Sequence, residues 1–364
     1  MKITLRDLLI PQPKSKIKAG NGETQGVYKF FTSSPIQNKF YDEATYDYPS
    51  LIFGTGGNAS VHYCAEPFST STDCLVMYGT DKANLELIYQ YLHTNLNILQ
   101  AGFKGAGLQH ISKDYILDIE IYLPDADVQN NIAKQMREID AMVSYRNQQL
   151  FKYDDLVKSR FIELFGLLEN PAKDFPRDVL KNLCTKITDG KHGGCTSEIG
   201  TGHYFVGARE IYDDTVHYDT APEINLYEFE KDYKRCNVEI GDFLIVNTGA
   251  TIGKSAIAVD PRTECTLLQK SVALLKVKRG LLNPVFLQYC YRVNDEMYKV
   301  DSASAQPNLL LSKINSTEIY VPPIDLQNQF AAFVEQTDKL KFEVKEALEK
   351  LEILKKSLMQ KYFG

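Results

Sequence analysis

Residues 321–364 leave this chain few choices. They open VPPIDLQNQF, close KKSLMQKYFG and carry one helical pattern between those ends. Phe330, Phe333, Thr337, Leu340, Val344, Ala347, Leu351, Leu354 and Leu358 follow one another at alternating spacings of 3 and 4. That spacing makes the a/d seam of a coiled coil, here sustained over four heptads. Lys and Glu fill most of the other positions. Such a seam has to be covered, by another copy of the chain or by a second helix in the same one.

A second helix is present. Residues 121–166 set above 319–364 without a gap place IYLPDADVQNNIA over IYVPPIDLQNQFA, and 15 of the 46 columns are identical. A fixed offset of 198 held over that many columns marks a duplication. In each copy a proline, Pro124 or Pro322, ends an extended segment. Asp127 or Asp325 is then expected to cap the helix. Each helix is predicted at roughly 36 residues, about 55 Å long, with Gly166 and Gly364 ending the two patterns. In the first helix the apolar stripe runs Ile132, Met136, Ile139, Val143, Leu150, Tyr153, Val157 and Leu164, interrupted by Arg146 and Arg160. Met142, Leu156 and Phe161 form a second edge. That width predicts helices that pack on each other and keep spare surface for a partner protein. The plainer reading is that each only braces its own domain.

The stretches before the helices, 1–110 and 167–310, both read as β-rich. Strand-like runs at 27–32, 51–53 and 74–78 in the first match runs at 204–206, 243–246 and 272–277 in the second, each bounded by turn-forming residues. A helical segment follows in both, 85–99 and 284–299, and then a short loop, KGAGLQHIS at 104–112 or SASAQPNLLLS at 302–312. The duplication therefore covers whole halves, and the globular parts have diverged further than the helices. At 364 residues, two domains are expected in any case. The net charge of −6 does not itself point to a polyanion, so binding one would need Lys and Arg gathered on one face. Seven cysteines, at 64, 74, 184, 195, 236, 265 and 290, never fall in CxxC spacing and read as reduced thiols without a metal. The opening MKITLRDLLIPQPKSK is no signal peptide and no apolar run is long enough for a membrane span, so a cytoplasmic location is expected.

With both proline-to-glutamine helix starts in view, together with AQPNLLLS at 305–312, GDFLIVNTGATIGKSA at 241–256 and ITDGKHGG at 187–194, the whole chain resembles the specificity subunit of type I restriction-modification enzymes. The resemblance implies an α+β fold of two target recognition domains, 1–120 and 167–318. Each would be followed by a spacer helix, 121–166 and 319–364, and the two helices would pack as an antiparallel intramolecular coiled coil with pseudo-two-fold symmetry. It further implies that each domain reads half of a bipartite double-stranded DNA target, and that the helices set the spacer and dock two modification subunits. Restriction subunits are allowed for. S-adenosylmethionine, ATP and Mg²⁺ would then belong to partner subunits, in a host-defence system that methylates DNA. The first copy reads ProAspAla at 124–126 where the second keeps the family-like ProProIle. The alternative is a coiled-coil scaffold whose β-rich domains bind protein.

No motif argues for catalysis here. GATIGKS at 249–255 has three residues where a phosphate loop needs four, and a strand-like run follows it, so it reads as a glycine-bearing turn. Asp189 and His192 lack a nucleophile beside them. Neither Asn170-Pro171-Ala172 nor Asn283-Pro284-Val285 is the aromatic-ended motif of a DNA methyltransferase. Candidate DNA contacts are Lys14, Lys16, Lys18, Thr32, Ser33, Asn58 and His62 in the first domain. In the second they are Lys191, His192, Arg209, Asn247, Thr251 and Lys254. For each, the competing reading is a solvated side chain or a turn former. Arg146 and Arg160 mark the expected partner-subunit surface.

Overall fold

The computed structural model of the protein describes residues 2–105, 107–299 and 307–363, so part of the 302–312 loop lies outside the described residues. Two compact units divide the chain. One is Met1–Gln148 with Val344–Gly364, the other Gln149–Glu343.

In the first unit, strands Leu9–Pro11, Cys74–Gly79, Ser50–Gly54 and Ser60–Cys64 lie side by side in that order as an antiparallel sheet. Leu51, Phe53, Leu75 and Met77 share a core with Leu87, Ile88 and Leu92 of the helix Leu85–Thr94, and with Ile132, Met136 and Met359 of the two long helices. The alternate residues Ile52, Cys74 and Val76 join Phe31, Tyr46 and Phe68 in a smaller cluster on the other face. Both faces are covered, which is why these strands read as unbroken apolar runs and not as an alternation. Tyr28–Phe31 runs parallel to Phe68–Thr70, and Lys2–Thr4 pairs with Glu120–Tyr122 just before the long helix.

The second unit repeats the plan. Its sheet runs Cys184–Asp189, Val272–Val277, Phe243–Val246, Ser255–Ile257. Phe243, Ile245, Ala273 and Leu275 pack with Phe286 and Leu287 and with Val157, Phe161, Phe165 and Phe330 of the long helices. Leu244, Val246, Val272 and Leu274 face a separate cluster. Tyr204–Val206 is parallel to Thr266–Leu268, and Arg177–Val179 pairs with Glu318–Tyr320. In chain order both sheets are wound 1-4-2-3. The three strands expected in this half appear with the expected bounds. The expected helix 85–99 breaks at Asn95, whose side-chain amide donates to Tyr91 O at 3.0 Å, and 284–299 is helical only over Pro284–Val293 before a short 3-10 turn.

The long helices are Ala126–Phe165 and Ile324–Phe363, 40 residues each, or about 60 Å. Gly166 ends the first at φ +75°, while Gly364 lies outside the described residues. The caps differ from expectation. Asp125, not Asp127, accepts the Val128 N–H at 3.0 Å. In the second helix Pro323 O accepts from the Leu326 and Gln327 N–H groups. Asp127 and Asp325 instead sit in the first turn, where a carboxylate suits the helix dipole. The repeated glutamine has a specific task. Gln129 donates through its side chain to Pro124 O at 2.9 Å, and Gln327 to Pro322 O at 2.7 Å, so each ties the helix start to its own entry proline.

Within each unit the two helices run antiparallel. Lys355 donates to Asp140 at 2.7 Å in the first unit. Lys341 pairs with Asp154 at 2.5 Å in the second, where Phe161 and Phe165 meet Phe330. The seam of the second helix departs from the heptad expectation. Phe330, Thr337 and Val344 are buried as expected, but the companion row is Val334, Lys341, Leu348 and Lys355, while Leu340 and Leu354 are exposed. The ion pairs account for the change, because each seam lysine reaches a carboxylate on the facing helix.

Candidate nucleic-acid interface

At one end of the second unit's sheet, Cys184–Asp189 and Phe243–Val246 finish while Val272–Val277 and Ser255–Ile257 begin. Residues 268–271 are the hub of the loops that meet there. Lys191 N–H donates to Leu268 O at 2.7 Å and Lys270 N–H to Lys191 O at 2.9 Å. Asn247 N–H donates to Ser271 O, and Ala208 N–H to Ser271 Oγ at 3.2 Å, which brings in the turn carrying exposed Arg209. Position 190 must be glycine, since a Cβ there would lie 2.1 Å from Leu268 O. Residues 249–254 form a turn between two strands, with Gly249 and Gly253 at positive φ, Thr251 half-buried and Lys254 exposed. The structure thus brings His192, Arg209, Thr251 and Lys254 to one sheet end. Exposed Lys270, which the sequence reading passed over, joins them.

The other two candidates of this domain, Asn247 and Lys191, are engaged elsewhere. Asn247 is 3% exposed, so its side chain does not belong to a surface. Lys191 Nζ lies 2.8 Å from Asp232 and 3.4 Å from Glu228. Asp232, bonded to the Lys191 ammonium, holds it above the usual lysine range. That ammonium braces the loop and is not a free cation. Buried Asp189 is ion-paired with Arg235, whose Nε–H also donates to Asp189 O and Gly190 O at 2.9 Å, and His192 Nε2 lies 3.8 Å from the Asp189 carboxylate.

The first unit builds the same end. Thr55 N–H and Oγ1 both donate to Asp73 O at 2.9 Å, and Ser33 Oγ donates to that carbonyl at 2.7 Å. Ser33 is therefore a loop tie, and Thr32 accepts from the Ser34 N–H at 3.3 Å. Beyond Leu9–Pro11 the chain runs with Ser15 buried and Ile17 half-buried between exposed Lys14, Lys16 and Lys18, so alternation turns three cations outward. Asn58 is exposed on the turn after Gly57, which has φ +83°. A cavity of about 630 Å³ lies here, with Gln12, Lys14, Thr55, His110 and Lys113 in its wall. His62 is elsewhere. It sits in mid-strand opposite Ile52, its Nε2 lies 2.9 Å from Ser34 O and its ring is 5.2 Å from that of Phe31. Burial pushes its pKa below the ordinary value, which marks it as a packing residue.

On the helix pair of the first unit, Arg146 is half-buried and lines a groove of about 720 Å³ with Met142, Tyr145, Leu351 and Leu354. Met142, Tyr145 and Leu354 are exposed. Arg160, in the second unit, donates to Glu163 of its own helix at 2.7 Å. Among the described residues no helix is long and apolar enough to cross a membrane.

Residues 1–150 and 197–354 match the family model of the type I restriction modification DNA specificity domain. The MjaVIII specificity subunit of Methanocaldococcus jannaschii, a type I restriction enzyme subunit, is 22% identical over 340 residues, which is 85% of this chain and 76% of that one. The crystal structure of the type I restriction-modification S subunit from M. genitalium superposes over 100% of this chain and 96% of its own, with TM-score 0.61 and 16% identity. A chain from a structural study of complex assembly and conformational transition in a type I restriction-modification system gives TM-score 0.61 and 16% identity, over 100% of this chain and 97% of that one. The family model covers most of the sequence and the fold agrees over all of it: the chain belongs to the type I restriction modification DNA specificity family.

Proposed function

We propose that each β-rich domain reads one half of a bipartite DNA target with the loops at its sheet end. Base edges would give specificity and phosphates affinity. The helix pair sets the spacer between half-sites and docks two modification subunits, with the Met142–Tyr145–Leu354 groove as one docking surface. Methyl transfer and any DNA cleavage, with their S-adenosylmethionine, ATP and Mg²⁺, take place on the modification and restriction subunits. The observation that carries this reading is one sheet, wound 1-4-2-3, built twice, each copy collecting exposed polar and cationic side chains at the same end.

Methylome sequencing of cells expressing this chain with its modification subunit tests it. The expected result is one methylated bipartite sequence. Exchanging residues 167–318 for those of a relative is expected to change one half-site and leave the other alone. A chain that gives its partner no sequence-selective methylation would instead be a protein-binding scaffold.

A further inference from the structure

Two residues outside the sequence candidates are held by the same device, one in each unit. In the first, Gly57 N–H donates to Gln109 O at 3.3 Å and Ile111 N–H to Thr55 O at 3.2 Å, so His110 is clipped against Gly56. In the second, Gly249 N–H donates to Pro307 O at 3.1 Å and Leu309 N–H to Asn247 O at 2.7 Å, so Asn308 is clipped against Thr248. His110 and Asn308 differ by the same 198 positions as the long helices. Both are exposed, and both are steadied through one atom. His110 Nδ1 lies 3.1 Å from Thr55 O, which leaves Nε2 on the outer edge. Asn308 Oδ1 accepts from Thr248 Oγ1 at 3.2 Å, which leaves its amino group outermost.

We propose that His110 and Asn308 are equivalent DNA contacts that grip the sugar–phosphate backbone and do not read a base. The inference rests on the DNA-reading function proposed above. Two domains reading different half-sites share only the backbone as a ligand, and this clip is the part of their sheet ends that they also share. The neighbouring loops differ in length and composition. Charge agrees. Lys14 and Lys113 are in the same cavity wall as His110, and exposed Lys254 ends the turn that holds Asn308. The Asn308 amino group donates to a phosphate oxygen directly. His110 meets the backbone at the corresponding place through Nε2, the ring nitrogen that the Thr55 carbonyl leaves outermost.

The test uses the full complex of this chain with its modification subunits. Its binding is measured on three duplexes: the methylated target, that target with one half-site scrambled, and a random sequence. His110→Ala and Asn308→Ala are each expected to weaken binding about tenfold on all three, as the loss of one charge-assisted hydrogen bond should. The methylated sequence should stay unchanged. The exchanges His110→Asn and Asn308→His are expected to keep near-native affinity and the same target, and they control for folding. Relaxed preference at one base pair in any variant overturns the proposal, as does undiminished binding by both alanine variants. If the unaltered complex binds without sequence preference, the DNA-reading function itself fails, a different result from either of these.

Discussion

A glutamine five residues after a proline, repeated 198 positions on, was plain in the sequence as a motif but not as a mechanism. Gln327 is fully buried. It accepts from the Asn283 N–H and donates to both Leu281 O and Pro322 O, so it fastens the helix start to a neighbouring loop as well as to its own entry. Gln327→Ala would strand those buried groups and should cost about 2–3 kcal/mol in urea unfolding, whereas Gln129→Ala, which loses the bond to Pro124 O, should cost roughly 1 kcal/mol. The cysteines give a second measurement at this scale. Burial pushes the thiols of Cys74 and Cys184 up to about 12 and that of Cys236 to about 11. The reactive thiolate is then scarce at pH 8. Iodoacetamide at that pH, followed by mass spectrometry of the native chain, should label the partly covered Cys195 and Cys265 first and reach the buried set only on unfolding. Other residue roles were hidden from the sequence. Nothing in LIVNTG says that Asn247 turns inward while the residues after it reach the surface. Nothing beside Lys191 names Asp232, which lies 41 positions away.

Helices were the most legible elements, and the misplaced seam of the second long helix is instructive. The stripe expected in the first helix, Arg146 and Arg160 included, is the row found half-buried or buried. Shifted by 198, the same stripe falls on 330, 334, 337, 341, 344, 348, 351, 355, 358 and 362, which is the seam observed in the second helix. A hydrophobic tally preferred Leu340 and Leu354 to Lys341 and Lys355, because it could not see Asp154 and Asp140 waiting on the facing helix. Unfolding should separate the two rows. Leu340→Lys should change stability by no more than about 0.5 kcal/mol, and Phe330→Ala should cost roughly 3–5 kcal/mol. A large loss from Leu340→Lys would restore the heptad row and overturn the observed seam. Strands were less legible, since three to six residues buried on both faces carry no alternation to read.

At the scale of the whole molecule, the gap-free offset made the duplication readable. The common 1-4-2-3 winding of the sheets was not, because it is kept by strand pairing and not by side-chain identity. What the duplication is for can be measured on the helices. A seam with a seven-residue repeat keeps its register when one full heptad leaves both strands of the pair. Deleting 149–155 and 337–343 together removes the Asp154–Lys341 pair as a unit and leaves the Met142–Tyr145–Leu354 groove intact. Each helix then loses about 10.5 Å, the length of roughly three base pairs at ~3.4 Å per step. If the helix pair is the ruler proposed for it, methylome sequencing with the shortened chain should show both half-sites retained and the spacer between them reduced by about three base pairs. An unchanged spacer with altered half-sites would place target spacing in the β-rich domains and leave the helices as braces. Retained stability with no methylation at all would show that the partner subunits, and not the domains, require the full length.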